Sequence, residues 1–190
     1  MNKKDKIISA AISVFRQKGI EKTTISDIVK EAGIAQGTFY LYFPSKMALM
    51  PAIAEILVGK MEDSLKRNVH SKDIAQQLTE IINALFEFTA ENKDLTILMY
   101  SGLTQTSHLK DWELIYLPVY QWVENLLTIA QESNAIPSGI KIEYMARILI
   151  GMIEAAAEQN YLFNEQDPAK IKEFREELQK MIFRALSLPL

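Results

Sequence analysis

The stretch from Thr24 to Lys46, TISDIVKEAGIAQGTFYLYFPSK, leaves this chain few options. Apolar residues at Ile25, Ile28, Val29 and Ala32 keep the i, i+3, i+4, i+7 spacing of a short helix with one buried face. Thr24 is placed to cap its start, because a hydroxyl there accepts a backbone N–H, and Asp27 completes a shortened capping box. Gly33 tolerates the positive φ required just past a helix end, so the chain can reverse there. A second helix is expected from Gln36 to Phe43, stopped by Pro44.

Two short helices around a tight glycine turn have the geometry of a helix-turn-helix, whose second helix enters the DNA major groove. At about 100° per residue, Phe39 and Phe43 fall on one side of that second helix and should pack inward. Gly37, Thr38 and Leu41 then point outward, with Gln36, Tyr40 and Tyr42 on the flanks. Such a face suits a groove. Gln36 can pair with a base edge and Leu41 can meet a thymine methyl. Tyr42 and Lys46 are expected to reach phosphates, and Thr24 joins the same DNA-facing set.

The string also resembles a family signature. Ala32-Gly33-Ile34, Gly37-Thr38-Phe39-Tyr40, Tyr42-Phe43 and Lys46 are similar to the AG-(V/I)-x-x-GT-(L/F)-Y-x-(Y/H)-F-x-x-K pattern of TetR-type bacterial transcription regulators. The resemblance covers roughly the first fifty residues. It implies an all-α protein: an N-terminal three-helix DNA-binding domain, residues 1–46, followed by a helical effector-binding and dimerisation domain, residues 47–190.

Charge agrees with that division. The net charge is −3, but residues 1–50 hold eight Lys/Arg against four acids, so a head of +4 sits on a body of −7. A basic head on an acidic body is expected when only the head meets phosphate. There is no cysteine and there are two histidines, His70 and His108, far apart in sequence, which leaves no thiolate or clustered metal ligands. No apolar run approaches the roughly 20 residues of a membrane span, and the N-terminus reads as a helix and not a signal peptide; a cytoplasmic location follows.

Along the chain, a first helix from Lys4 to Lys18 carries Ile7, Ile8, Ala11, Ile12 and Phe15 in a stripe that can close over the helix-turn-helix. Lys3, Lys4 and Lys6 sit at its start. A fourth helix is expected from Lys46 to Asn68, capped by Ser45 and kinked by Pro51 or regular only after it. The body then reads as helices from Ser71 to Asn92, Leu95 to Ser101, Leu109 to Ser133, Lys141 to Tyr161 and Pro168 to Leu186, with a loop from Ser101 to Ser107 and a bend at Pro118. Asp167 caps the last of them and Pro168 opens it.

The body contains no nucleophile elbow, phosphate loop or metal-ligand spacing, so no enzyme activity and no cofactor is expected. Met99, Trp112, Tyr116, Tyr120 and Met152 have the soft, aromatic character of a pocket wall, which core packing explains as well; Glu154, Gln159 and Asn160 are polar groups that either orient a ligand or equally line a dimer seam. The resemblance favours a small-molecule effector site. Gly151, Ala155, Phe174, Leu178, Met181 and Ile182 form faces on the last two helices that need a partner surface, and the resemblance implies a second copy. The expected partners are therefore a palindromic operator in duplex DNA, a second copy of the chain and an effector that releases a repressor from its site. The competing reading is an all-helical protein–protein interaction module that keeps the helix-turn-helix shape without binding an operator.

Overall fold

In the computed structural model, residues 2–103, 112–163 and 167–189 are described, and among them every regular element is helical. Among the described residues nine α-helices follow one another: α1 (Lys3–Lys18), α2 (Ile25–Ala32), α3 (Gln36–Tyr40), α4 (Leu49–Asn68), α5 (Ile74–Glu91), α6 (Lys93–Leu103), α7 (Trp112–Glu132), α8 (Ile142–Glu158) and α9 (Pro168–Ala185). A π-helical turn, Gln159–Phe163, extends α8. The chain forms two compact units, one made of Met1–Val58 and Asp94–Ile115, the other of Gly59–Lys93 and Tyr116–Leu190.

Local chemistry explains the first unit. Asn2 and Asp5 form a full capping box at the start of α1, and Gly19 ends it at φ 77°. Ile7, Ile8, Ala11, Val14 and Phe15 are buried against α2, which contributes Ile28 and Val29. Phe39 and Phe43 close the same core, with Leu49, Met50 and Ile53 from α4 and Leu95, Leu98 and Met99 from α6. The fourth helix begins at Leu49 and not at Lys46, because residues 45–50 first make tighter turns: Ser45 Oγ accepts from Ala48 N, and Leu49 N donates to Lys46 O. Pro51 is then the third helical residue, where its missing amide would have had no partner in any case, so it neither delays the helix nor costs a bond.

In the second unit α5 buries Ile74, Leu78, Ile81, Ile82, Leu85 and Phe86, and packs on α8 and α9. Asp73 caps α5 by accepting from Gln76 N. Just before it, the Glu80 carboxylate accepts from the amides of His70 and Ser71, which holds its pKa below the usual value and fastens the α4–α5 turn. α7 carries Pro118 inside a continuous helical span and buries Val119, Val123 and Leu127. α8 contributes Ala146, Leu149, Ile150 and Ile153; α9 contributes Leu178, Ile182 and Phe183. α6 runs to Leu103, three residues into the stretch expected as a loop. The rest of that loop, residues 104–107, lies outside the described residues, as does His108.

Candidate functional site

The head is set by one capped helix and one glycine. Thr24 Oγ1 accepts from Asp27 N at 3.1 Å, while Asp27 Oδ2 accepts from Thr24 N at 2.9 Å and from the Thr24 hydroxyl at 2.8 Å. The Lys18 ammonium, 2.7 Å from Asp27, and these cap bonds hold the Asp27 carboxyl well below the usual range. Gly33 sits at φ 64°, ψ 40°, the left-handed conformation, and turns the chain into α3. α3 ends at Tyr40, three residues before Phe43. Turn bonds from Tyr42 N and Phe43 N to Phe39 O continue its curl, and the following Pro44 biases Phe43 away from helical backbone.

The wheel holds nonetheless. Phe39 is fully buried and packs edge-on against Tyr40 and tilted against Phe43. On the other side Leu41 is 82% exposed, Tyr40 and Tyr42 are about half exposed, Gln36 and Gly37 are open, and Thr38 is half-buried. A Cβ added at Gly37 would meet no protein atom within 4 Å, so the chain's own packing gives no reason for a glycine there.

Lys46 departs from expectation. Its ammonium donates to the main-chain carbonyls of Ile20, Glu21 and Thr23, the last at 2.7 Å. All three donors are spent on the α1–α2 turn, and a phosphate could be bound only by giving them up. Thr24 is committed in the same way, to its cap, although it stays exposed.

The residues singled out in the body separate into distinct places. Met99 is core of the first unit. Trp112 opens α7, and its side chain lies outside the described residues. Tyr116 and Glu154 do meet: the buried phenol donates to Glu154 Oε1 at 2.7 Å, joining α7 to α8. Tyr120 stacks beside Tyr116, ring centres 5.6 Å apart, under the Arg147 guanidinium, which also pairs with Glu124 at 3.1 Å. Burial pushes the Glu154 carboxyl up to about 8, against a smaller opposing effect of the Tyr116 bond; Glu158 adds to the rise. Met152 and Gln159, expected beside Glu154, instead line an open groove of about 570 Å³ between α8 and α9, with Ala155, Phe174, Leu178 and Met181. The cause is phase: residues at positions 152, 155 and 159 share the face of α8 that turns away from Glu154.

That groove belongs to a broad apolar surface. Tyr144, Ile148, Gly151 and Ala155 are exposed along α8, Ile148 by 56%, and on α9 Met181 is 49% exposed beside Phe174. Leu178 forms its floor. Ile182, expected on this seam, is fully buried and fastens α9 to its own body instead. The signal that the sequence reading passed over was Tyr144 and Ile148, whose spacing continues the Gly151–Ala155 stripe toward the start of α8.

A capped helix, a left-handed glycine and a short exposed second helix define a helix-turn-helix protein of the kind that regulates transcription. The chain belongs to the TetR family of bacterial transcription regulators. Residues 7–53 match the family described as bacterial regulatory proteins, tetR family, and residues 78–186 match the tetracyclin repressor-like C-terminal domain. The chain is 41% identical over 185 residues to the HTH-type transcriptional regulator YvdT of Bacillus subtilis, covering 97% of this chain and 95% of that protein. It is 26% identical over 166 residues to the fatty acid metabolism regulator protein of the same organism, covering 84% of each. Its fold is similar to that of the transcriptional regulator FadR from Bacillus subtilis in complex with stearoyl-CoA, with a TM-score of 0.74 and 22% identity over 93% of this chain and 96% of that one. Among the described residues no helix is long and apolar enough to cross a membrane, and no cluster of His, Asp or Glu could hold a metal ion.

Proposed function

We propose that the chain is a homodimeric repressor that binds a palindromic DNA operator and leaves it when a small-molecule effector enters the body. In this reading residues 1–46 read DNA and residues 47–190 sense the effector and dimerise. The observation that carries it is the exposed face of α3, where Gln36, Gly37, Tyr40, Leu41 and Tyr42 stand clear of the core that Phe39 and Phe43 close. A protein surface gains nothing from an 82% exposed leucine beside an unforced glycine, whereas a base stack and a close backbone approach use both.

The dimer follows from energetics and from the apolar face of α8 and α9. A single head makes few phosphate contacts, and non-specific binding at physiological salt is only about 10⁻⁴ to 10⁻⁶ M. Base contacts add roughly 1–3 kcal/mol each, too little for three or four side chains to pick one site in a genome. Two heads on one body gain effective concentration and read an inverted repeat. Tyr144, Ile148, Gly151, Ala155, Phe174 and Met181 offer a largely apolar face for the second copy.

The body's part is regulatory. An effector shifts DNA affinity only by its preference for one of two states, commonly about 1–3 kcal/mol. Tyr116 and Glu154, a hydrogen-bonded pair that joins α7 to α8, are where we place its polar end. The test is selection of bound genomic fragments with purified protein, followed by titration of the recovered site by fluorescence anisotropy at several salt concentrations. A shared inverted repeat and a steep loss of affinity with salt are expected, and Gln36→Ala should relax one base position per half-site. Binding that is absent, or independent of salt, would leave only the protein-interaction reading.

A further inference from the structure

The reading helix carries no charge. From Ala32 to Ser45 the chain has no Lys, Arg, Asp, Glu or His, although residues 1–50 hold eight Lys/Arg and four acids. The charges that bracket this stretch are turned to the head itself. Glu31 accepts from the Ser13 hydroxyl at 3.3 Å, tying α2 to α1, and Lys46 donates to the carbonyls of Ile20, Glu21 and Thr23. Lys18 and Asp27 pair with each other at 2.7 Å. The other cations, Lys3, Lys4, Lys6, Arg16, Lys22 and Lys30, are exposed on α1, the α1–α2 turn and α2, outside the helix that enters the groove.

Charge decides which base pair a side chain singles out. In the major groove guanine offers two acceptors, O6 and N7, which a guanidinium or ammonium meets with two donors, and cytosine offers the N4 amino group, which a carboxylate accepts. Adenine offers one acceptor and one donor, N7 and N6, and thymine adds a methyl. The face presented by α3 and the turn after it has neither of the charged groups that select G·C. Gln36, exposed at the first position of α3, carries an amide with one donor end and one acceptor end, the complement of adenine N7 and N6; against guanine its oxygen would face lone pairs. Leu41, 82% exposed, has only a methyl to meet, and the open Cα of Gly37 lets the backbone come close enough for both. The hydroxyls of Thr38, Tyr40 and Tyr42 donate and accept alike and favour neither pair.

We infer that the head selects A·T pairs at the steps α3 covers, with Gln36 reading adenine and Leu41 the thymine methyl, while the cations of the head serve only phosphate. This rests on the DNA-reading role proposed above and names the class of sequence that role takes.

The test uses the purified full chain and duplexes with a randomised centre, selected for binding at one fixed salt concentration. The recovered duplex is then rebuilt with deoxyuridine for thymidine, which removes only the methyl, and with 7-deazaadenine for adenine or 7-deazaguanine for guanine, each of which removes only the N7 acceptor. Uracil and 7-deazaadenine should each weaken binding by about fivefold or more, the low end of what one good base contact discriminates, and 7-deazaguanine by less than about twofold. The uracil penalty should vanish in Leu41→Ala and the 7-deazaadenine penalty in Gln36→Ala. Both side chains are exposed, so truncation leaves the core intact; should either variant not fold, the wild-type penalties decide alone. A 7-deazaguanine penalty above about twofold, smaller uracil or 7-deazaadenine penalties than about fivefold, or penalties that survive the alanine variants would overturn the A·T reading and leave a DNA-binding head. Equal retention of every sequence would do the same. Retention of no duplex at any salt concentration would overturn the DNA-reading role with it.

Discussion

Replacing Lys46 by Met removes the ammonium and keeps most of the stem, so it asks whether this lysine holds the head together or holds DNA. In the structure the group donates to three carbonyls of the α1–α2 turn, two well placed and the Glu21 bond long at 3.4 Å. A hydrogen bond to a charged group contributes about 1.5–3 kcal/mol net, and because Lys46 is only partly buried and can be solvated when its bonds are lost, a loss near the low end, ~2 kcal/mol in all, is expected. For a chain of 190 residues that is a fall in Tm of roughly 4–8 °C. A lysine on a phosphate would behave differently. Each contact adds about 0.9 to the slope of log K against log salt, so two copies in a dimer would remove roughly 1.8. We expect Lys46→Met to melt earlier and bind the operator more weakly at 15 °C, with its salt slope unchanged. An unchanged Tm with a slope reduced by two contacts would refute the clamp.

Thr24→Ala removes the α2 cap and should cost about 1 kcal/mol, seen as a lower Tm in a differential scan. Met181→Glu places a charge on the exposed α8–α9 face, and sedimentation should then show a monomer with DNA affinity reduced to that of one head. Glu154 gives a pH signature of its own. Its folded pKa, raised to about 8, exceeds the unfolded value, so the folded chain binds the extra proton between about 4.5 and 8. Stability should therefore fall as pH rises through that window, by on the order of 3–5 kcal/mol at most. Glu154→Gln should flatten the profile in urea melts and be the more stable form at pH 8.5. A wild-type profile rising from pH 5 to pH 8 would contradict the burial of this carboxyl.

What could be read from the sequence was what neighbours decide. The Thr24–Asp27 box, the left-handed Gly33, the inward Phe39 and Phe43 and the Asp167–Pro168 helix start each involve residues within a few positions, and each is present. The clamp that Lys46 makes could not be read there, because its acceptors lie 23 to 26 residues upstream, in a turn whose carbonyls no pattern announces. Glu154 stood out as a carboxylate among apolar neighbours, but its partner Tyr116 is 38 residues away. Gln159 and Met152 were grouped with it because periodicity ranks residues by polarity and says little about which of two packed faces is interior. Ile182 parts from Met181 for the same reason: a wide apolar stripe on α9 serves two surfaces, and only packing divides it.

The wide turn at Gln159–Phe163 leaves a mark beyond its own five residues. A π-helical turn closes on the fifth residue and not the fourth, so the side chains within it are turned away from where an uninterrupted α-helix would place them. Tyr161 meets Phe86 edge-on, ring centres 6.3 Å apart, in that shifted frame. Deleting a single residue there would restore a regular helix and swing Tyr161 off Phe86, so lengths at this joint are set by aromatic register.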